Sequence, residues 1–461
     1  MTSSSPSILW LRQDLRLSDH PALVAAAGEG PVVPVYVLDD DRPGEYAIGG
    51  AQRWWLHHSL AALADAYREK GVELILRRGD TLSELMAVAH RVGAQRIHAI
   101  RHYEPWWRAA QEELAGEIEL CLHDGNHLVP PADLLTGSHT RYRIFTPYWK
   151  ALLQRMPPPL PLHAPGRIEA AERQPASDSL ADWHLLPTRP DWSKGFADPW
   201  APGEAGAKAA LRRFLPHLDA YDHDRNLPSI EGSSRLSPHL HFGEISPATV
   251  WHRAAKHSKA RAEPFLREIA WRDFATNLID IFPDYATRNG RDSFDEFHWR
   301  GGKAADADFV AWTRGRTGYP IVDAGMRQLW ATGWMHNRVR MIAASFLIKH
   351  LLIDWRRGER WFWDTLVDAD YGNNAANWQW VAGTGVDSNM FPRIMAPLGQ
   401  SEKFDAEGYI RQWVPELAGL PDDAIHDPHG AGRAPRDYPA MLIGHRDARE
   451  RALAAYRTMG S

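Results

Sequence analysis

The sequence predicts an α/β domain followed by an all-α domain, and three features carry that expectation. Over the first 130 residues, short apolar runs alternate with amphipathic segments. Ten prolines then fall between Met156 and Ala205, and beyond them helical patterns continue to the end of the chain. A chain of 461 residues exceeds one ordinary core, so more than one domain is the prior.

The apolar runs Ile8–Leu11, Val32–Leu38, Glu73–Leu76, Arg96–Ile100 and Ile118–Leu122 read as strands. Between the second and third, Trp55–Lys70 spaces Leu56, Leu60, Leu63 and Tyr67 by four, three and four residues, which is one face of a helix. Strand–helix alternation predicts a five-stranded, Rossmann-like parallel sheet covered by helices on both faces. No Gly-x-Gly-x-x-Gly follows the first strand, so a hydride-transferring dinucleotide enzyme is disfavoured. Proline fixes φ and removes a donor, so the proline-rich stretch reads as an extended surface connector. Met341–Ile353 is almost continuously apolar, as in a helix buried all round. The expected division is 1–135 for the α/β domain, 136–205 for the linker and 206–461 for the helical domain.

Composition narrows the class. A hydrophobic fraction of 44% and a charged fraction of 24% are ordinary for a globular chain. No apolar run reaches the ~20 residues of a membrane helix, and the first residues lack a signal-peptide core. The single cysteine, Cys121, suits a reducing cytoplasm. A net charge of −5 argues against indiscriminate nucleic-acid binding but leaves room for a local basic groove.

Six tryptophans stand in the 48 residues from Gly333 to Trp380. Each buried indole needs a partner for its N–H, so a core alone has little use for so many. Beside arginines, such rings suit stacking of flat ligands and contact with phosphate. Arg338, Arg340, Lys349, Arg356, Arg357 and Arg360 face only Asp354 and Glu359 in that region, which reads either as a solvated face or as a DNA-contacting rim. Asn226–Pro238 (NLPSIEGSSRLSP) is a glycine–hydroxyl turn whose backbone N–H groups could meet a diphosphate, or an N-cap with loop serines. Glu268 and Trp271 are three apart, Asn337 and Met341 four apart, so each pair shares a helix face. No His, Cys or Asp set has metal-ligand spacing, so no metal is expected.

The strings LWLRQDLRLSDHPAL, GSSRLSPHLHFGEISP, TGYPIVDAGMRQLWATGWMHNRVRMIAASFL and RIMAPLGQSEKFDAEGYIRQWVPEL resemble the DNA photolyase/cryptochrome family nearly end to end. Within it the chain looks most like the photolyases of cyclobutane pyrimidine dimers. Photolyases of 6-4 photoproducts carry His-His where this chain has His336-Asn337. The resemblance implies an α/β antenna domain, a helical domain binding FAD, and a monomer that acts on UV-damaged DNA. A blue-light photoreceptor of the cryptochrome type, without repair, is the alternative.

Carried over by position, Tyr221, Ser233, Ser234, Arg235, Leu236 and Ser237 would bind the FAD phosphates and ribityl chain. Arg340 would pair with Asp368 beside the flavin ring, with Asp370 and Asn374 also at the cofactor. Glu268, Trp271, Asn337, Met341 and Trp380 fall at lesion-pocket positions, and Arg338 and Gln400 at DNA contacts. Trp378, Trp355 and Trp299 match the tryptophan chain that photoreduces the flavin. Where folate-binding relatives carry Asn-Glu after the fourth strand, this chain reads Tyr103-Glu104-Pro105-Trp106-Trp107. The expected antenna is therefore a folate or none.

Overall fold

The structure, a computed structural model, describes residues 5–258, 261–388 and 390–459. The chain forms two compact units. One, the sheet unit, comprises Met1–Ser193, Ala197–Leu218 and Ser234–Pro283; the other, the helical unit, comprises Lys194–Phe196, Asp219–Ser233 and Asp284–Ser461. Compactness thus assigns two stretches after residue 196 to the sheet unit, where sequence grammar alone placed a break near 205.

In the sheet unit, β1 (Ser7–Leu11), β2 (Val32–Leu38), β3 (Ile75–Arg78), β4 (Arg96–Ile100) and β5 (Glu119–His123) form a parallel sheet ordered β3-β2-β1-β4-β5. All seven residues of β2 are buried, which explains its unbroken apolar run: helices cover both faces, so neither side of the strand meets water. The core joins Ile8, Trp10, Val33, Val35 and Ile97 to Leu85 and Val88 of the helix Thr81–Val92 and Leu114 of the helix Pro105–Glu117. Each fully buried Leu, Ile or Val contributes about 1.5–3 kcal/mol relative to exposure. Helix Thr81–Val92 shows why such segments start and stop where they do: Asp80 accepts from Ser83 N, and Gly93 ends it at φ +75°.

β3 begins two residues later than its apolar run and continues through Arg77 and Arg78. As an edge strand it needs ladder bonds on one side only, and charged residues there discourage pairing with other chains. The proline-rich stretch is irregular, as expected, but it does not simply lie on the surface. Leu76 N donates to Ser177 Oγ (3.0 Å), Asp178 N to Leu76 O (2.8 Å) and Val32 N to Glu169 O (2.9 Å). The connector covers the open edge of β3 and buries Ile168 and Ala171.

In the helical unit, the run Met341–Ile353 is buried but is not one α-helix. Asn337–Ser345 is α-helical and passes into a single π turn, Phe346–His350, with Leu351 N donating to Phe346 O. Helix Trp355–Thr365 starts at Asp354, which accepts from Arg356 N (3.0 Å), and helix Tyr371–Ala382 starts at Asp370 and ends at Gly383, φ +80°. No helix among the described residues is long and apolar enough to cross a membrane.

Candidate functional site

In the helical unit, Asp370 and Asn374, two of the residues expected at the cofactor, lie at the start of the helix Tyr371–Ala382. Asp370 caps that helix, its Oδ1 accepting from Asn373 N and Nδ2 at 2.8 Å each. Asn374 lies one turn in, buried, with Nδ2 donating to Glu359 O (3.0 Å) and Oε1 (2.8 Å). Glu359 is fully buried, and nothing in its sequence context marks it; it holds the amide of Asn374 in place. Trp378 follows Asn374 by four residues and so shares its face. Arg340 donates from Nε to Met335 O (2.7 Å) and from Nη2 to Asp368 Oδ2 (2.8 Å), the expected pair. Asp368 is buried, and its second oxygen, Oδ1, has no partner among the described residues. A buried carboxylate oxygen is costly to leave unsatisfied, so this position fits a ligand that presents a donor. An FAD fits this donor set on that ground.

Trp378 rests edge-on against Phe362 (4.9 Å between centroids) and Trp312 (6.3 Å). A Cβ at Gly358 would overlap its six-membered ring, so only glycine lets helix Trp355–Thr365 come this close. Trp355 is fully buried with its indole N–H donating to Asn289 Oδ1 (3.0 Å), while Trp299 is half-exposed against Phe297 (4.4 Å). The three expected electron carriers therefore run from buried to accessible. Sequence position did not single out Trp312, whose N–H donates to Ala343 O (3.0 Å).

Of the residues expected to face a lesion, Asn337 opens the helix Asn337–Ser345 and is exposed; Met341, a turn later, is half-buried. Arg338 Nη1 meets Met341 Sδ at 3.8 Å, its Nη2 bonds Asn226 Oδ1, and its guanidinium lies 4.6 Å over Phe404. Burial and the charge of nearby Arg225 push this guanidinium below its usual range, as expected of a cation awaiting an anion. Tyr221 is buried under Arg225 (5.3 Å), Ser233 is half-exposed, and Trp380 and Gln400 are half-buried.

The basic run is not a continuous rim. Lys349 is buried, Arg340 binds Asp368, Arg356 binds Asp354 (3.1 Å), Arg357 binds Asp306 (2.9 Å), and Arg360 lies 3.7 Å from Glu359. Helical packing brings up Asp306 and Asp368, which the linear sequence keeps distant, beside Asp354 and Glu359 of the run itself. Of the run, Arg338 and the buried Lys349 are the members without a carboxylate at ion-pair distance among the described residues.

In the sheet unit, Leu236 N donates to Ser234 Oγ (3.3 Å), and Ser237 begins a short helix, Ser237–His241. Arg235 takes a left-handed backbone, φ +51°, uncommon for a branched-chain-sized residue and frequent at ligand turns. Its guanidinium lies 5.9 Å over Trp200. Glu268 and Trp271 sit half-exposed on helix Glu263–Ile281, whose Ile269, Ala270 and Phe274 are buried. Trp271 stacks on the buried Phe145 at 3.5 Å and 7°, a backing that sequence spacing could not show.

Near the carboxyl ends of β1 and β4, Pro105 starts a helix that displays Trp106 and Trp107. Trp106 lies 6.3 Å from Tyr46, Trp107 6.1 Å edge-on from Trp10, and Arg12 3.7 Å over Trp10. Five buried polar atoms here, Trp10 Nε1, Arg12 Nε, His102 Nε2, Tyr103 Oη and Trp107 Nε1, have no hydrogen-bond partner among the described residues.

Residues 265–458 match the FAD binding domain of DNA photolyase, and residues 7–165 match DNA photolyase. A parallel-sheet unit joined to a helical unit with an FAD-binding domain defines the class, a flavoprotein. The chain is 47% identical to the deoxyribodipyrimidine photo-lyase of Agrobacterium fabrum over 98% of each chain. It superposes with a TM-score of 0.94 on a bacterial class III photolyase from Agrobacterium tumefaciens, at 46% identity over 100% of this chain and 98% of that one. Cryptochrome-1 of Arabidopsis thaliana is 36% identical over 99% of this chain and 71% of its own length. The chain belongs to the DNA photolyase/cryptochrome family.

Proposed function

We propose that the protein is a light-driven DNA-repair enzyme, a deoxyribodipyrimidine photo-lyase acting on cyclobutane pyrimidine dimers. The observation that carries the reading is the Asn374–Trp378 helix face, following Asp368 with its unsatisfied buried oxygen. Bound and reduced, FAD supplies the light-driven electron that opens the cyclobutane ring. Tyr221, Ser233, Arg340, Asp368, Asp370 and Asn374 would hold it, and the family resemblance adds Ser234, Arg235, Leu236 and Ser237 for its phosphates and ribityl chain. Trp378, Trp355 and Trp299 would carry an electron inward to restore the reduced state.

The dimer must leave the base stack, at a cost of roughly a few kcal/mol that is smaller for a damaged pair. Trp271, braced by Phe145, and Trp380 offset it by stacking, each on the scale of about 1–3 kcal/mol per base. Asn337, Met341 and Glu268 would read the dimer's edge, and Arg338 and Gln400 would contact the strand. A sensor without repair has no use for these lesion-facing groups, which is why the cryptochrome reading ranks second. The protein is further read as a cytoplasmic monomer.

Illumination of the reduced holoenzyme with a dimer-containing oligonucleotide tests the reading: restored thymines support it, and a bleaching flavin spectrum without repair favours the photoreceptor. Affinity for damaged duplex should fall with salt, log K against log [salt] having a slope of about −0.9 per phosphate contacted. With so many arginines internally paired, the slope should correspond to few phosphates. The unsatisfied atoms around Trp10 and Trp107 favour a second chromophore, and a folate is the expected one. A deazaflavin released on denaturing the purified protein would refute that choice.

A further inference from the structure

Lys349 stands apart from the other cations of its region. It lies in the π turn Phe346–His350, is 1% exposed, and has no carboxylate at ion-pair distance among the described residues. Its amine donates to two backbone carbonyls, Met390 O (2.8 Å) and Arg393 O (3.0 Å). Desolvation lowers the amine to about 7 from its ordinary value, and a neutral amine has two N–H donors, as many as the carbonyls it meets. The two acceptors belong to one tight turn: Arg393 N donates to Met390 O (3.0 Å), closing residues 390–393. Phe391 plugs the turn into the core between Phe294, Phe297 and Tyr456 and under the Lys349 amine, 5.9 Å from its ring. Pro392 and Arg393 are left exposed at the tip, and the Arg393 side chain has no carboxylate at ion-pair distance among the described residues. Two residues upstream, Ser388 Oγ donates to Trp380 O (2.8 Å), which ties this segment to a lesion-pocket residue; Gln400 follows seven residues after Arg393.

We propose that Lys349 is a positioning residue for DNA binding, its buried amine fixing the 390–393 turn so that Arg393 meets a backbone phosphate beside the dimer. A π turn places this amine because the extra residue per turn rotates Lys349 off the helix register, and such turns recur at functional positions. Burying an amine is costly, and a purely structural tie between two carbonyls and a helix could be made by a smaller polar group. The inference rests on the reading of the chain as a DNA-repair enzyme.

The test uses the FAD-loaded protein and an oligonucleotide with one thymine dimer, binding measured in the dark and repair yield at saturating substrate. Lys349→Met should bind about tenfold more weakly, the scale of one charge-assisted contact, with the flavin spectrum and the yield at saturation unchanged. Arg393→Gln should lose affinity to the same extent, and the double variant should bind no worse than the weaker single one. Lys349→Gln keeps a donor but is one atom too short to span both carbonyls, so about a threefold loss is expected; it carries the test should Lys349→Met fail to retain FAD. Parental affinity in Arg393→Gln or in Lys349→Gln, or losses that multiply in the double variant, would overturn the proposal. A parent protein that does not bind dimer DNA would instead overturn the repair reading.

Discussion

Trp378→Phe is expected to bind FAD as the parent does yet fail to reduce it in light, photoreduction falling to the level of an unilluminated control. Trp378 is buried against Phe362 and Trp312, with Gly358 beneath it. Phenylalanine keeps most of that contact, so the destabilisation should stay well under the about 3–5 kcal/mol of a Trp→Ala change in a core. What it removes is an oxidisable ring. Trp312 lies edge-on against it and Trp355 is the next expected carrier, so the loss of Trp378 should stop every route that passes through it. Stopped-flow or steady illumination of oxidised protein with an external reductant reads this directly. Chemically reduced Trp378→Phe should still repair dimers. Normal photoreduction in this variant would mean that electrons enter the flavin site by another residue.

The sheet was legible because its chemistry is local. Val32–Leu38 and Arg96–Ile100 are strands at the boundaries their apolar runs predict, since helices shield both faces of a parallel sheet and favour apolar residues in its strands. Edge strands were read less well: β3 extends into Arg77 and Arg78, where solvent on one side permits charge. The connector misled for a different reason. Proline content forecasts the absence of regular structure, which holds, but says nothing of whether the backbone groups find partners, and Leu76 supplies them.

Site residues divide similarly. Spacing places Asn337 with Met341 and Glu268 with Trp271, because helical periodicity fixes which side chains share a face. The Arg340–Asp368 bond was available only through the family resemblance, being 28 residues apart in sequence. Partners set by tertiary packing were invisible: Phe145 behind Trp271, Glu359 behind Asn374, and the Asp306 that neutralises Arg357. The basic run is the instructive case. Counting charges along a chain measures a solvated face only if the helix is not packed against others, and here Asp306 answers Arg357 from a separate helix, Gly302–Thr313.

Glu268→Ala should bind dimer-containing DNA about 1–3 kcal/mol more weakly, the worth of one buried or charge-assisted hydrogen bond, and should repair with lower yield at saturating substrate. A thymine dimer presents carbonyl oxygens on either side of an imide N–H, so its edge both accepts and donates hydrogen bonds. Glu268 can therefore accept from an imide N–H of the dimer, and in its acid form can also donate to the adjacent carbonyl. Its setting suits this: it is half-exposed on the same helix face as Trp271, whose ring is braced by Phe145 and would cover one side of the flipped bases. Closing DNA over that face removes water from the carboxyl and strengthens the bond. Glu268→Gln separates this role from a surface ion pair, because the amide keeps the shape and an N–H donor but no charge. It should bind within a few-fold of the parent, whereas loss of an ion pair would penalise Gln and Ala alike. Both variants should retain FAD. If Glu268→Ala repairs thymine dimers as efficiently as the parent, with fully reduced FAD and saturating substrate, the carboxyl does not touch the lesion.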